Sequence, residues 1–202
     1  MDMNTQRLLW DTQKRIDKDL SLCYNGHMKK IIVYFHGYGS SVNSDKVARL
    51  KQEPGFEVYA YPANIDLVIA LKEVSDNIDL MLITDPEASC ELIFVGTSLG
   101  AWLASKMAKM YQCKAVIINP SVDPTTSLEK YGVPLEIREK YSVLAPYEGH
   151  KYFFAKYDEV IDNREFRKNL TKAGFDVTIV DGADHRFAGP AFEEVIKYLN
   201  AQ

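Results

Sequence analysis

Six short runs of nearly unbroken apolar residues constrain this chain more than any other feature, because stretches with helical spacing or turn residues separate them. The runs are 31–35 (Ile-Ile-Val-Tyr-Phe), 56–61 (Phe-Glu-Val-Tyr-Ala-Tyr), 92–95 (Leu-Ile-Phe-Val), 114–118 (Lys-Ala-Val-Ile-Ile), 152–155 (Tyr-Phe-Phe-Ala) and 176–180 (Asp-Val-Thr-Ile-Val). A strand wet on one face alternates polar and apolar residues, whereas a strand buried on both faces reads as a continuous apolar run. Helical patterns lie between them. These are 45–53, then 66–82 with apolar residues at Leu67, Ala70, Leu71, Val74, Ile78 and Met81, a small-residue stretch at 101–108, 164–173 stopped by Gly174, and 190–199 opened by Pro190. This alternation predicts an α/β fold of three layers, with a mostly parallel sheet of about six strands and right-handed crossovers. Residues 121–150 break the pattern. They hold no strand signal, and their charged patches, Glu129-Lys130 and 136–140, read as helical and solvated. They follow the fourth run, so they are expected over the carboxyl edge of the sheet as a small cap-like insertion.

The chain has 202 residues, 47% of them hydrophobic, which supports one α/β domain and is too short for two. That domain is assigned to 29–202. Residues 1–28 are polar and mixed in charge, an N-terminal extension that is either a marginal helix or loose. The net charge is −4 and no basic run stands out, which argues against nucleic acid and anionic membrane surfaces as partners. No apolar stretch approaches the ~18 residues of a membrane helix, and the first residues lack the apolar core of a signal peptide. Three cysteines, Cys23, Cys90 and Cys113, show neither metal nor redox spacing. Packed, reduced thiols are the expectation, and with them a cytoplasmic location.

The chemistry concentrates at Gly96-Thr97-Ser98-Leu99-Gly100, which follows the third apolar run and opens a helix. Strand, tight turn and helix are the setting in which Gly-x-Ser-x-Gly presents a nucleophile. The turn forces the serine into a strained conformation. The flanking Gly96 and Gly100 remove Cβ atoms that would clash with the strand and the helix. A serine hydroxyl needs a base, and histidine serves best near neutrality. Ligands of open α/β sheets bind beyond the carboxyl ends of the strands, and this filters the four histidines. His27 lies in the extension, His150 precedes the fifth strand at the opposite edge, and His36 belongs to a glycine-rich loop, where it reads as a structural hydrogen bonder. His185, after the sixth strand, is left as the base. An acid must then orient the imidazole. Asp158 directly follows the fifth strand and is favoured. Asp123, after the fourth, is the other topological option, Asp162 reads as a helix N-cap, and Asp184 would point elsewhere. The loop His36-Gly37-Tyr38-Gly39 follows the first strand, and its glycines let backbone amides approach a ligand. The N–H groups of Tyr38 and Leu99 are the candidate oxyanion hole.

These residues resemble the α/β-hydrolase superfamily, and within it the small, cap-poor bacterial esterases of the YqiA/YcfP type. The resemblance rests on Val-Tyr-Phe-His-Gly-Tyr-Gly-Ser-Ser (33–41), Gly-Thr-Ser-Leu-Gly-Ala-Trp (96–102), Ile-Asn-Pro-Ser-Val-Asp-Pro (118–124), Asp-Glu-Val-Ile-Asp (158–162) and Gly-Ala-Asp-His-Arg-Phe (182–187). It covers about 30–202 and implies a serine esterase with Ser98, Asp158 and His185 as triad, working without metal or cofactor on a small-molecule ester. The chain order serine, acid, histidine is that of the superfamily. Ala101 departs from relatives that carry a further glycine there, and alanine is small enough to keep the helix close. Some relatives lack the serine; Ser98 is present here. A short cap implies an open site and short acyl chains. Thioester or peptide cleavage would use the same parts. Acyl transfer would need a site that excludes water, and a non-catalytic binding module is opposed by the intact residue set. The oligomeric state is not legible.

Overall fold

A computed structural model describes residues 29–62, 66–84 and 90–202; the N-terminal extension read over 1–28 lies outside them, together with Cys23 and His27. Among the described residues six strands form one sheet: β1 (Lys29–Phe35), β2 (Phe56–Tyr61), β3 (Cys90–Thr97), β4 (Lys114–Ile118), β5 (His150–Ala155) and β6 (Val177–Val180). Their order is β2-β1-β3-β4-β5-β6, and all five pairings are parallel. The helices are α1 (Asp45–Leu50), α2 (Leu67–Thr84), α3 (Leu99–Tyr111), α4 (Pro124–Ser127), α5 (Leu135–Arg138), α6 (Arg164–Lys172) and α7 (Pro190–Asn200), with a 3-10 turn at Glu129–Tyr131.

The inner strands β1, β3, β4 and β5 carry the apolar runs because both faces of the sheet are buried there. Ile31, Val33, Phe35, Phe94, Ala115, Ile117, Tyr152 and Phe154 face one core, against α2, α3 and α6. Their alternates Ile32, Tyr34, Ile93, Val95, Val116, Ile118, Phe153 and Ala155 face the other, against α1 and α7. The result is a compact three-layer α/β fold. Leaving β1, the chain steps to β2 on one side, then crosses back over β1 to β3 and proceeds outward. Reversing the direction of travel at constant handedness moves the crossovers to the opposite face, which is why α1 stands apart from α2, α3 and α6. The loops after β1 and β3 diverge at this reversal, and the crevice between them is where open α/β sheets bind ligands.

Several boundaries differ from the sequence reading: β1 and β5 each begin two residues earlier, at Lys29 and His150, so that His150 opens the fifth strand rather than preceding it, and two further differences have a clear local cause. α1 stops at Leu50 rather than at 53, and the chain tightens there, with Gln52 N–H donating to Arg49 O and Glu53 N–H to Leu50 O. Pro54 follows, and a residue before proline is pushed out of the helical region. β3 extends to Cys90–Thr97 because its register with β1 runs from Lys29 opposite Cys90 to Phe35 opposite Gly96. Pairing over the full edge outweighs the weak strand preference of Gly96. The segment between β4 and β5 is short helical turns without a strand. Its Leu128, Val133, Tyr141 and Leu144 join the α3 core, and Trp102 on α3 donates its indole N–H to Ser142 O at 2.7 Å.

Candidate active site

Ser98 sits between the end of β3 and the start of α3 with φ 59° and ψ −120°. A non-glycine residue at positive φ costs about 1–3 kcal/mol and persists only where its surroundings enforce it. Here they do. The Ser98 N–H donates to Ile118 O at 3.0 Å, and the Ser98 carbonyl accepts from the N–H of Ala101 (3.1 Å) and of Ser121 (3.0 Å). The glycines are demanded by contact. A Cβ on Gly96 would stand 2.1 Å from Gly100 O, and one on Gly100 would stand 2.2 Å from Phe35 O and 2.4 Å from His36 O. Strand, helix and first loop therefore touch backbone to backbone. Gly100→Ala is expected to cost about 3 kcal/mol or more, because the obstruction is main chain and cannot rotate away. Urea unfolding measures it, and a wild-type midpoint for the variant would disprove the close approach.

The loop after β1 lies directly against this turn. A Cβ on Gly37 would be 3.3 Å from Ser98 Cβ and 3.9 Å from Ser98 Oγ. The loop turns back at once: Ser40 N–H donates to Gly37 O at 3.1 Å, and Gly39 supplies the positive φ of 73°. Among the described residues neither the Tyr38 N–H nor the Leu99 N–H has a hydrogen-bond acceptor. Leu99 opens α3, so its N–H is one of the free donors of a helix N-terminus.

His36 differs from its reading as a hydrogen bonder. Its side chain is buried and its Nε2 has no partner, while the ring packs edge-on against Tyr34 with centroids 4.8 Å apart. Burial, helped by the charge of Lys46, pushes its pKa down to about 4. Since Tyr34 belongs to the core beside α1 and α7, the ring is anchored behind the loop, while the His36 carbonyl borders Gly100 and the Gly37 backbone borders Ser98.

Asp158 and His185 are in hydrogen-bond contact. His185 Nδ1 is 2.8 Å from Asp158 Oδ2 and 2.9 Å from Oδ1. Both side chains are largely enclosed, at 5% and 13% exposure. Burial raises the pKa of the Asp158 carboxyl, but the bond from His185 and the backbone N–H groups of Ile161 and Val160 outweigh it, so the group is held below the usual carboxylate range. The two N–H groups donate to Oδ1, each at 2.9 Å. A carboxylate only accepts, so Nδ1 carries the hydrogen and the Nε2 lone pair is left for another proton. No hydrogen bond joins the Ser98 hydroxyl to His185 among the described residues. The serine turn and the histidine loop nevertheless meet at consecutive residues. Ile118 O receives the Ser98 N–H, while the Asn119 side chain donates to the carbonyl oxygens of Asp184 and His185, both at 3.1 Å.

The competing acids are engaged elsewhere. Asp123 caps α4, accepting from the N–H groups of Thr125 and Thr126. Asp162 accepts the Arg164 N–H and pairs with its guanidinium, although the capping position itself falls to Asn163. Asp184 accepts the Phe187 N–H at 2.9 Å. His150 is buried at the amino end of β5, where burial and then Lys109 hold its pKa down to about 3.

Three residues near the site were not singled out from sequence. Asn119, buried with φ 41°, also accepts the Ala155 N–H at 2.7 Å, so one side chain ties β5 to the His185 loop. Its position just past a strand and before Pro120 was the available signal. Glu159 accepts the His185 N–H at 3.0 Å, and Tyr131 lies against Tyr38 with ring centroids 5.1 Å apart. Neither follows from residue type or spacing. Among the described residues no group of three or more His, Cys, Asp and Glu side chains is placed to hold a metal ion. No helix there is long and apolar enough to cross a membrane.

Several solved structures share this architecture. Est1E from Butyrivibrio proteoclasticus superposes with a TM-score of 0.68 at 13% identity, over 88% of this chain and 89% of that one. An esterase of Pyrococcus furiosus gives a TM-score of 0.63 at 17% identity, over 88% and 82% of the two chains. An alpha-beta serine hydrolase homologue from Coxiella burnetii gives 0.56 at 16% identity, over 88% and 86%. At these identities the likeness is one of fold. Kinship is carried by sequence: residues 31–136, just over half of the chain, match the family described as "Uncharacterised protein family (UPF0227)", and the chain belongs to that family.

Proposed function

We propose that this chain is a serine hydrolase that cleaves small carboxylic esters through an acyl-enzyme. The observation that carries the reading is the strained turn that presents Ser98 at the same sheet edge as a buried Asp158–His185 pair whose Nε2 is free to accept a proton. In this reading Ser98 Oγ attacks the ester carbonyl while His185 Nε2 takes the hydroxyl proton. The N–H groups of Tyr38 and Leu99 hold the oxyanion, each such donor contributing roughly 3–4 kcal/mol. The intermediate collapses, and the alcohol leaves with the proton from His185. Water, activated by the same imidazole, then releases the acid and restores the serine. Serine–imidazole contacts are commonly long in an empty site and close around substrate. The two fold neighbours described as an esterase and as an alpha-beta serine hydrolase homologue support this chemistry.

The segment between β4 and β5 then serves as a small cap, and its shortness favours short acyl groups. A cytoplasmic setting fits the unbridged Cys113, whose thiol is pushed up to about 12 by burial and is so unreactive.

The pH profile tests the base. Against the opposing effect of burial, the bond from His185 and the backbone N–H groups hold the Asp158 carboxyl below the usual carboxylate range. Protonating Nε2 removes the base, so hydrolysis of p-nitrophenyl acetate should fall with decreasing pH by about tenfold per unit on the acid limb. His36 and His150 are kept neutral down to about 4 and about 3, so neither accounts for such a limb. A flat profile between about pH 5 and 8 would remove histidine from the mechanism.

A further inference from the structure

The 3-10 turn Glu129–Tyr131 spans the candidate site. On one side Lys130 Nζ donates to Val160 O at 2.9 Å, in the loop that carries Asp158. On the other side the Tyr131 ring lies 5.1 Å from the ring of Tyr38, tilted by 45°. The turn is held from behind by Arg138, which donates to Val133 O (2.9 Å) and Thr125 O (2.6 Å) and pairs with Glu129. It is therefore a braced wall rather than a swinging lid. Tyr38 follows Gly37, where a Cβ would lie 3.3 Å from Ser98 Cβ, so the backbone that carries the Tyr38 ring runs beside the nucleophile. Both rings keep exposed area, 37% for Tyr38 and 49% for Tyr131, although each has an aromatic neighbour to cover it. Exposed aromatic faces at the mouth of a site are surface that a ligand can cover with a gain in free energy.

We propose that Tyr131 and Tyr38 form the wall against which the acyl chain of the ester lies, and that Tyr131 sets acyl-chain selectivity. This inference rests on the hydrolase reading above. Tyr38 would grip the carbonyl oxygen through its N–H while its ring covers the chain attached to that carbonyl. Tyr131, fixed by the cap, keeps the Tyr38 ring from rotating away. Selectivity then belongs to the β4–β5 segment, and the nucleophile turn supplies only the chemistry.

The test compares wild type, Tyr131→Ala and Tyr131→Phe on p-nitrophenyl acetate, butyrate and hexanoate, with a second series of acetates of methanol, butanol and hexanol. All three acyl groups are short enough for the small cap, and among them wild type should prefer hexanoate over acetate. Tyr131→Ala should lower the hexanoate-to-acetate ratio of kcat/KM by about tenfold, chiefly through KM, with the shape of the pH profile kept. Tyr131→Phe should restore the ratio, since the ring rather than the hydroxyl makes the contact. An equal loss on every ester, no change in the ratio, or a shift confined to the alcohol series would overturn the assignment while leaving the hydrolase intact. A wild-type protein that cleaves none of these esters and takes no fluorophosphonate label would overturn both.

Discussion

Ser98→Ala is expected to abolish fluorophosphonate labelling and to lower p-nitrophenyl ester turnover by about ten thousandfold or more. In the proposed mechanism the hydroxyl forms the covalent bond, and no neighbour can substitute for it. Where a nucleophile and its base act as one unit, loss of the nucleophile removes nearly all of their joint contribution, and the residual rate reflects binding and oxyanion stabilisation. The folded state should survive, because the turn is held by backbone bonds of Ser98 to Ile118, Ala101 and Ser121, none of which uses the side chain. Alanine at φ 59° is as strained as serine, so thermal unfolding should move little. Labelling that persists in the variant, with mass spectrometry placing the adduct on another residue, would take Ser98 out of the mechanism.

The second large effect is expected from Asp158→Asn, and its direction follows from two pinned oxygens. Oδ1 accepts the N–H groups of Val160 and Ile161, so in the variant the amide oxygen must occupy that position. The amide NH₂ then takes the place of Oδ2, which lies 2.8 Å from His185 Nδ1. An NH₂ group donates, so Nδ1 must accept, and the imidazole proton moves to Nε2. The ring is then the wrong tautomer to receive the serine proton. Turnover should fall by about ten thousandfold while the labelled serine is the same one, reacting more slowly. An Asp158→Asn enzyme within about tenfold of wild type would mean that this carboxylate does not orient the base.

The sequence and the structure divide the explanation unevenly. The parallel sheet was legible because strand stretches buried on both faces must be apolar throughout, as in Ile31 to Phe35 and Ala115 to Ile118. The serine turn was legible in part for a local reason: a Cβ on Gly96 would meet Gly100 and Ala101 a few residues on, so the motif carries that geometry itself, whereas Gly100 answers to Phe35 and His36 of the distant first strand and loop. Helix ends were less so, as α1 shows, since the tertiary surroundings decide where the last turn closes.

Residue types and chain order alone nominated His185 and Asp158, because few imidazoles exist here and the carboxyl ends of parallel strands share one edge. Only the folded chain could engage Asp123, Asp162 and Asp184 with their own backbones, aim His36 into the opposite core, and recruit Asn119, Glu159 and Tyr131 from separate loops. Local pattern fixes which face a side chain takes and how tightly a turn must close. It carries no information on which distant loops come together, since that depends on the packing of the whole sheet and both helical layers.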